Sequence, residues 1–459
     1  MPTTFTTQFE GSPQAICALA TPPGKGALSI VRVSGRDAHE IAKQITHKAL
    51  TPRVTHYTNF YGQDGAVIDQ GLAIYFQAPA SFTGEDVIEL HCHGNPLISD
   101  LLLKTLCGSG ARMANPGEFS LRAFLNNKID LAQAEAIADL INSTTEQAAR
   151  TATRSMQGAF SQRIEKVLKL LIEMRMHIEA HLDFPDEEIN RQQSEQLASQ
   201  LKTIKNFLTE LLQQATLSER LQTGASIAIA GKPNAGKSTL LNVLAQSEVA
   251  IVTEIPGTTR DPLSADIEIL GIPVRIIDTA GLRETTDIVE SKGIERAQQV
   301  LAQADLILWL TDASNVEAID TMPEYIDVTK VIYVHNKIDL QTRASKIRDI
   351  ANENNIFISA KTHIGVEDLI KYIGQRLLGP LEIQEQGDTP FLARSRHIIA
   401  LQQTLENLTS AQQHIVSQQE LELAAEDLRL AQQNLGLITG EFTPDDLLGK
   451  IFSEFCIGK

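Results

Sequence analysis

The residue types best suited to chemistry fall at positions 231–239, which read Gly231-Lys-Pro-Asn234-Ala235-Gly236-Lys237-Ser238-Thr239. The pattern is Gly-x4-Gly-Lys-Ser, set between an apolar run, Ser226-Ile-Ala-Ile-Ala230, and a helix-forming run, Thr239-Leu-Leu-Asn-Val-Leu244. Strand, loop and helix in that order are the context a phosphate-binding loop needs. The glycines let backbone N–H groups turn inward around phosphate oxygens, and the helix N-terminus adds partial positive charge. Lys237 is expected to reach the β- and γ-phosphates and to act in catalysis, and the Ser238 hydroxyl to ligate Mg2+. Asn234, Ala235, Gly236 and Thr239 complete the expected nucleotide contacts. Composition alone yields the bare pattern roughly once or twice per hundred chains of this length, so standing alone it would decide little.

Further motifs follow in order. Gly257-Thr258-Thr259-Arg260-Asp261 lies where a switch loop offers a threonine to Mg2+, and Thr259 is the candidate. Val274-Arg-Ile-Ile-Asp278-Thr279-Ala280-Gly281 is an apolar strand ending in Asp-x-x-Gly. Asp278 can hold Mg2+ through water, and the Gly281 amide can sense the γ-phosphate. Val331-Ile-Tyr-Val-His-Asn336-Lys337-Ile-Asp339 is a strand followed by Asn-Lys-x-Asp. The Asp339 carboxylate can accept from the ring N–H and the exocyclic amino group of guanine. Adenine lacks that donor pair and would leave the carboxylate unpaired, which is strong discrimination. Ser359-Ala360-Lys361 supplies a loop to close over the base. The ordered set implies a guanine-nucleotide site and GTP as substrate.

One position departs from the Ras-like pattern. The residue after Asp-x-x-Gly, where a glutamine orients the attacking water, is Leu282. Arg283, Glu284, Asp287 and Glu290 are nearby polar candidates for that task. The missing positive charge must come from a partner subunit or a monovalent cation, and the Asn234 side-chain carbonyl is a possible cation ligand.

Elements must hold these residues in place. The chain has 459 residues, 42% hydrophobic and 21% charged, so it can bury several cores. Residues 1–118 read as mixed α/β, with β-branched runs such as Leu28-Ser-Ile-Val-Arg-Val33 and Gly71-Leu-Ala-Ile-Tyr-Phe76. Residues 119–217 read as helical: from Ala132 to Leu182 there is no proline, and Gly158 is the one glycine. Asp183-Phe-Pro185 breaks that run, and a Gln-rich helical stretch follows over about 191–217. Residues 218–382 alternate strand and helix, as a parallel sheet requires. After Glu385-Gln-Gly-Asp-Thr-Pro390, residues 383–459 return to helix-forming composition. The expected architecture is multidomain α/β plus all-α: an N-terminal α/β domain, a discontinuous helical domain, and a Ras-like G domain inserted into it.

Composition also excludes function classes. The net charge of −17 lacks the footprint of a general nucleic-acid binder, so any RNA contact is local or supplied by a partner. No apolar run is long enough to span a bilayer, and the start lacks a signal or transit pattern, so a cytoplasmic location is expected. Cys17, Cys92, Cys107 and Cys456 form no Cys-x-x-Cys pair. His91-Cys92-His93 cannot converge on one ion from an extended segment, since neighbours point to opposite faces.

The chain resembles the MnmE (TrmE) family of tRNA-modification GTPases over essentially its whole length. The resemblance rests on Thr21-Pro-Pro-Gly-Lys-Gly26, Ser81-Phe-Thr-Gly-Glu-Asp86, Asn115-Pro-Gly-Glu-Phe119, Asp130-Leu-Ala-Gln-Ala-Glu-Ala-Ile-Ala-Asp139 and Asp183-Phe-Pro-Asp-Glu-Glu188, besides the nucleotide motifs. The tail Phe455-Cys456-Ile-Gly-Lys459 is highly specific. The resemblance implies an N-terminal domain that dimerises and binds 5-formyl- or 5,10-methylene-tetrahydrofolate as one-carbon donor. Arg32, Glu89 and Lys128 match folate contacts, with Lys459 nearby. It implies an FAD-binding partner, MnmG, in a heterotetramer or larger complex with a homodimer of this chain. Together they would add an aminomethyl or carboxymethylaminomethyl group to carbon 5 of the wobble uridine of certain tRNAs. It further implies a K+-stimulated GTPase driven by G-domain pairing, with K+ ligated by Asn234, Thr253, Ile255 and Thr258 in a loop that also carries Glu254, Pro256 and Gly257. Glu290 matches the glutamate that positions the attacking water, and Cys456 is a conceivable nucleophile.

Two other functions would place different demands on the sequence. A ribosome-assembly switch of the Era/EngA type predicts a basic RNA-binding appendage, whereas the segment after residue 382 is acidic and helical. A scaffold without turnover predicts decayed metal, phosphate or base motifs, and these are intact.

Overall fold

The structure is a computed structural model. It describes residues 14–183, 191–246, 264–279, 298–314, 322–323, 325–340, 354–378, 391–417, 421–441, 445–453, 455 and 458. The described residues fall into two compact units. One holds those up to Ala138, Ser155–Asn206 and those from Ala400 onward; the other holds Asp139–Arg154 and Phe207–Ile399.

The first unit begins with a six-stranded sheet built from β1 (Ile16–Leu19), β2 (Leu28–Ser34), β3 (Thr55–Tyr61), β4 (Val67–Phe76), β5 (Val87–His93) and β6 (Arg112–Met113), in the order β3-β4-β5-β2-β1-β6. Only the β1–β6 pairing is parallel. Helices α1 (Ala38–Thr46) and α2 (Pro96–Gly108) cover one face. Asn95 caps α2, its side chain accepting from Leu97 N at 3.0 Å, with Pro96 in the first turn where its missing N–H costs nothing. Strand period two sorts the sheet: Val31, Val33, Ile88, Leu90 and Cys92 enter the core. Arg32 and Glu89 are left on the opposite face, directly across from one another in the β2–β5 register. The same alternation puts His91 and His93 on the face away from the buried Cys92.

Helix α3 (Glu118–Leu125), α4 (Leu131–Asn142), α5 (Glu146–Met156), α6 (Ala159–Asp183) and α7 (Arg191–Thr223) follow in the chain, with Asp139–Arg154 and the part of α7 from Phe207 belonging to the second unit. Residues Phe160, Ile164, Val167, Leu171, Met174 and Ile178 of α6 are all buried at three- and four-residue spacing. Helix α10 (Ser395–Ser417) and α11 (Leu421–Thr439) repeat that pattern, α11 through Ala424, Leu428, Ala431, Leu435 and Ile438. Such a stripe buries one face per helix, with about 1.5–3 kcal/mol per large apolar side chain. Helices α6 and α11 pack together, and Arg175 Nη1 donates to Gln432 Oε1 at 2.7 Å. Helix α12 (Asp445–Ser453) closes a small core with Leu121, Leu131, Phe452 and Phe455.

The second unit holds a sheet of β7 (Ala225–Gly231), β8 (Ser264–Ile269), β9 (Ile272–Asp278), β10 (Leu306–Asp312), β11 (Val331–Asn336) and β12 (Asn355–Phe357), in the order β12-β11-β10-β7-β9-β8. All pairings are parallel except the β8–β9 hairpin. Ile227 and Ile229 enter one core with α8 (Lys237–Gln246) and α9 (Val366–Leu378), while Ala228 and Ala230 enter the other. A strand segment buried on both faces must be continuously apolar, as Ile227–Ala230 is. Strand β7 lies between β10 and β9, and in open α/β sheets ligands bind at the carboxyl ends of the strands, where β7 hands over to α8.

Two expected boundaries shift. Helix α8 starts at Lys237 rather than Thr239, because the phosphate loop hands its last residues directly to the first turn. The Gln-rich helix runs on from 217 to Thr223, where Gly224 in a left-handed conformation (φ 74°) ends it.

Candidate functional site

The loop between β7 and α8 has the predicted shape. Gly231 has φ 139°, and a Cβ there would lie 2.1 Å from the Leu310 carbonyl oxygen. Gly236 has φ 97°, and its Cβ would lie 2.3 Å from Asn336 Nδ2. Both positions therefore require glycine. Asn234, exposed between them, also has positive φ, 63°. Lys237 is buried, and its ammonium donates to the carbonyls of Gly231 at 2.9 Å and Lys232 at 2.7 Å, bracing the loop on itself.

Ser238, at the start of α8, donates from Oγ to Asp278 Oδ2 at 2.8 Å, and Asp278 ends β9. A hydroxyl and a carboxylate oxygen thus converge, the hard donor set that suits Mg2+ with its remaining positions filled by water and phosphate. Thr279 is buried, donating from Oγ1 to the Ile229 carbonyl at 2.8 Å and so tying β9 to β7 beside the phosphate loop.

Asn336 joins three loops. Its Nδ2 donates to the Ala235 carbonyl at 2.8 Å, and its Oδ1 accepts from Lys337 N at 2.8 Å and from Ala360 N at 2.9 Å. Ser359 Oγ donates to Asp339 Oδ1 at 2.6 Å and accepts from Thr362 N at 3.2 Å. The buried Ser359 thereby fixes the exposed Asp339 carboxylate, and Lys361 is exposed beside it. The geometry brings together Asn234, Ala235, Gly236, Lys237, Ser238, Asp278, Thr279, Asn336, Lys337, Asp339, Ser359 and Ala360, with Thr239 exposed in the first turn of α8.

Thr253, Glu254, Ile255, Pro256, Gly257, Thr258, Thr259, Ala280, Gly281, Leu282, Arg283, Glu284, Asp287, Glu290, Cys456 and Lys459 lie outside the described residues.

The N-terminal constellation is arranged differently from three separate ligand contacts. Arg32 donates from Nε and Nη2 to Glu89 Oε1 at 3.1 and 2.8 Å, so the two candidates form a half-buried ion pair. The guanidinium also lies 5.9 Å from the Phe82 ring and 5.8 Å from the Phe119 ring. Lys128 donates to the Pro79 carbonyl at 3.0 Å and packs on Gly84. Arg32 and Lys128 therefore both flank the loop that contains Phe82. The Arg32–Glu89 pair thus lies beside two aromatic rings, Phe82 partly exposed and Phe119 buried.

Sequence reasoning missed two groups. Asp312, at the end of β10, receives the Lys337 ammonium at 2.6 Å. Burial pushes its carboxyl upward, but hydrogen bonds from Lys337 and Ser314 outweigh that and hold it below the usual carboxylate range. Glu118 is wholly buried and accepts from Arg112 at 2.5 and 2.8 Å, from Arg122 at 3.0 Å and from Asn115 N at 2.9 Å. Glu118 stands in the quoted Asn115-Pro-Gly-Glu motif, but which arginines meet it depends on tertiary structure.

Comparison with known proteins accords with this geometry. Residues 131–456 match the model of the MnmE helical domain, and residues 15–128 match that of the GTP-binding protein TrmE N-terminus. A protein of Nitrosomonas eutropha named tRNA modification GTPase MnmE is 48% identical over 450 residues, covering 97% of this chain and 99% of its own. Its namesake in Pseudomonas paraeruginosa is 46% identical over 459 residues, covering 98% and 100%. Among solved structures, Aquifex aeolicus Era bound to GDP and aluminium fluoride matches 40% of this chain and 66% of its own at 27% identity; its TM-score of 0.26 lends nothing to the assignment. On the two domain matches and the full-length identities, this chain belongs to the MnmE (TrmE) family of tRNA modification GTPases.

Proposed function

We propose that this chain is a GTP-hydrolysing enzyme of tRNA modification, working in the cytoplasm as a homodimer with an FAD-binding partner of the MnmG type. The reaction is addition of an aminomethyl or carboxymethylaminomethyl group to carbon 5 of the wobble uridine, with the carbon drawn from a reduced folate. The observation that carries the GTPase part is the Asn336 junction, which couples the phosphate loop at Ala235 to the base loop at Ala360. Family membership supports the tRNA part.

Within the site, backbone N–H groups of residues 234–238 and Lys237 bind and orient the phosphates, while Asp339 reads the guanine edge. Mg2+, held by Ser238 and through water by Asp278, would neutralise developing charge on the phosphates. K+ at Asn234 and the loop carrying Thr253, Ile255 and Thr258 would supply the positive charge that a Ras-like glutamine site draws from an arginine. Glu290 positions the attacking water, in place of the glutamine that Leu282 replaces. In the N-terminal domain, Arg32, Glu89 and Lys128, with Lys459, form the folate site. Cys456 is retained as a candidate nucleophile in the tail.

Supporting the folate reading, the Arg32–Glu89 pair is flanked by Phe82 and Phe119. A ribosome-assembly role does not account for residues 15–128, which match the TrmE N-terminus.

GTP hydrolysis in K+ and in Na+ at equal ionic strength tests the proposal. Stimulation of at least about tenfold by K+ is expected, since one well-placed charge in the transition state is worth that or more. Equal rates would remove the cation from the mechanism and point to an arginine from a partner.

A further inference from the structure

We propose that Asp312 is a positioning residue for nucleotide binding: it holds the Lys337 ammonium in place, so that the lysine stem is set against the purine before GTP or GDP arrives. The proposal rests on the guanine-nucleotide reading above and adds to it a group that none of the nucleotide motifs contains.

Lys337 is fixed at both ends. Its backbone sits in the left-handed region, φ 68°, and its N–H donates to Asn336 Oδ1 at 2.8 Å. At the other end, Lys337 Nζ meets Asp312 Oδ2 at 2.6 Å. An exposed lysine has several rotatable bonds, and ordering them on ligand binding lowers affinity. A lysine already held in one rotamer avoids that loss.

A half-exposed ion pair by itself contributes little. This one differs because the carboxylate is itself held. Asp312 Oδ1 accepts from Ser314 N at 2.9 Å and from Ser314 Oγ at 2.5 Å. Ala313 N donates to the Asn336 carbonyl at 2.8 Å, tying the end of β10 to the end of β11. One residue earlier, Thr311 Oγ1 and His335 Nδ1 share a hydrogen bond at 2.7 Å. His335 Nε2 reaches Asn355 Oδ1 at 3.0 Å, and its ring stacks on Phe357 at 4.7 Å. The ends of β10, β11 and β12 are thus stitched together, leaving Asp312 a rigid anchor. The carboxyl also stays anionic well below neutral pH, because its hydrogen bonds outweigh its burial.

The test is a double-mutant cycle on GDP affinity in the full chain, using Asp312→Ala, Lys337→Ala and the pair, read by calorimetry. Asp312→Ala should weaken GDP about fivefold or more, yet add less than about twofold in the Lys337→Ala background. Asp312→Asn, which keeps an oxygen for Lys337, should recover part of the loss. If Lys337→Ala alone leaves GDP affinity intact, the guanine-site reading fails. If Lys337→Ala weakens GDP but Asp312→Ala does not, or does so by the same factor in both backgrounds, only the role of Asp312 is overturned. Should Asp312→Ala fail to melt cooperatively, the cycle with Asp312→Asn decides by the same criterion: a loss that vanishes in the Lys337→Ala background supports the role, and one that persists overturns it.

Discussion

Ser238 donates its hydroxyl to the Asp278 carboxylate at 2.8 Å, joining the first turn of one helix to the end of a strand forty residues later. Neither residue is near the other in sequence, and each belongs to a different motif. Their meeting at the end of β7, beside a buried Lys237, gathers in one place the groups to which the proposed function gives metal and phosphate binding.

Lys237→Ala should therefore abolish GTP turnover, with kcat falling at least about a hundredfold, since a preorganised charge on the transferred phosphoryl is lost. The loop also loses the brace that Lys237 gives the Gly231 and Lys232 carbonyls. Single-turnover hydrolysis with saturating GTP is the measurement. An unchanged rate would refute the phosphate-loop assignment.

Arg32→Ala should weaken 5-formyl-tetrahydrofolate binding by about tenfold or more in calorimetry, the usual scale for a lost charge-assisted hydrogen bond. GTP turnover should change little, because Arg32 lies in the other compact unit from the nucleotide motifs. The substitution also takes from Glu89 its arginine partner, leaving the pair with His91 at 3.4 Å among the described residues. Arg32→Lys is the companion variant: it restores charge but not the two-pronged donation to Glu89. Equal folate affinity in Arg32→Ala would remove the residue from that site.

How far the sequence revealed this arrangement differs from element to element. The sheet of the second unit was legible because parallel strands buried on both faces must be continuous apolar runs, and the motifs punctuate them. Asp339 and Ser359 were each placed by their own motif, and only the hydrogen bond between them awaited the structure. The Arg32–Glu89 pair was not legible: strand alternation gives the face of each residue, but the β2–β5 register depends on packing. Asp312 escaped notice for a related reason. It closes an ordinary apolar strand, Leu306–Asp312, and its worth comes from Lys337, just past the end of the neighbouring strand.

Glu118 makes the N-terminal region sensitive to acid. Burial raises its carboxyl, but hydrogen bonds from Arg112 and Asn115 and the charge of Arg122 outweigh that and hold it below its usual value of 4.5. A depressed native value means the stabilisation is fully present above the unfolded-state value of 4.5 and is lost as pH falls from there through the native value. Glu118→Gln should destabilise the first unit by about 3 kcal/mol at neutral pH, since it removes the buried charge that Arg112 pairs with and leaves Arg122 only its Glu85 pair. The wild-type chain should lose more stability than the variant between neutral and acid pH. Circular dichroism follows the loss, while fluorescence of the single tryptophan, Trp309 in the second unit, serves as the control. Identical acid profiles for both chains would count against the network.

The central claim is that Asp339, steadied by Ser359, reads the guanine edge. Its most direct test is the ratio of turnover on GTP to turnover on xanthosine triphosphate, for the wild type and for Asp339→Asn. The account predicts a reversal: the wild type prefers GTP, and the variant prefers xanthosine triphosphate, with the ratio changing by at least about a hundredfold. A variant that keeps its preference for GTP would contradict the account, because some other group would then be reading the base.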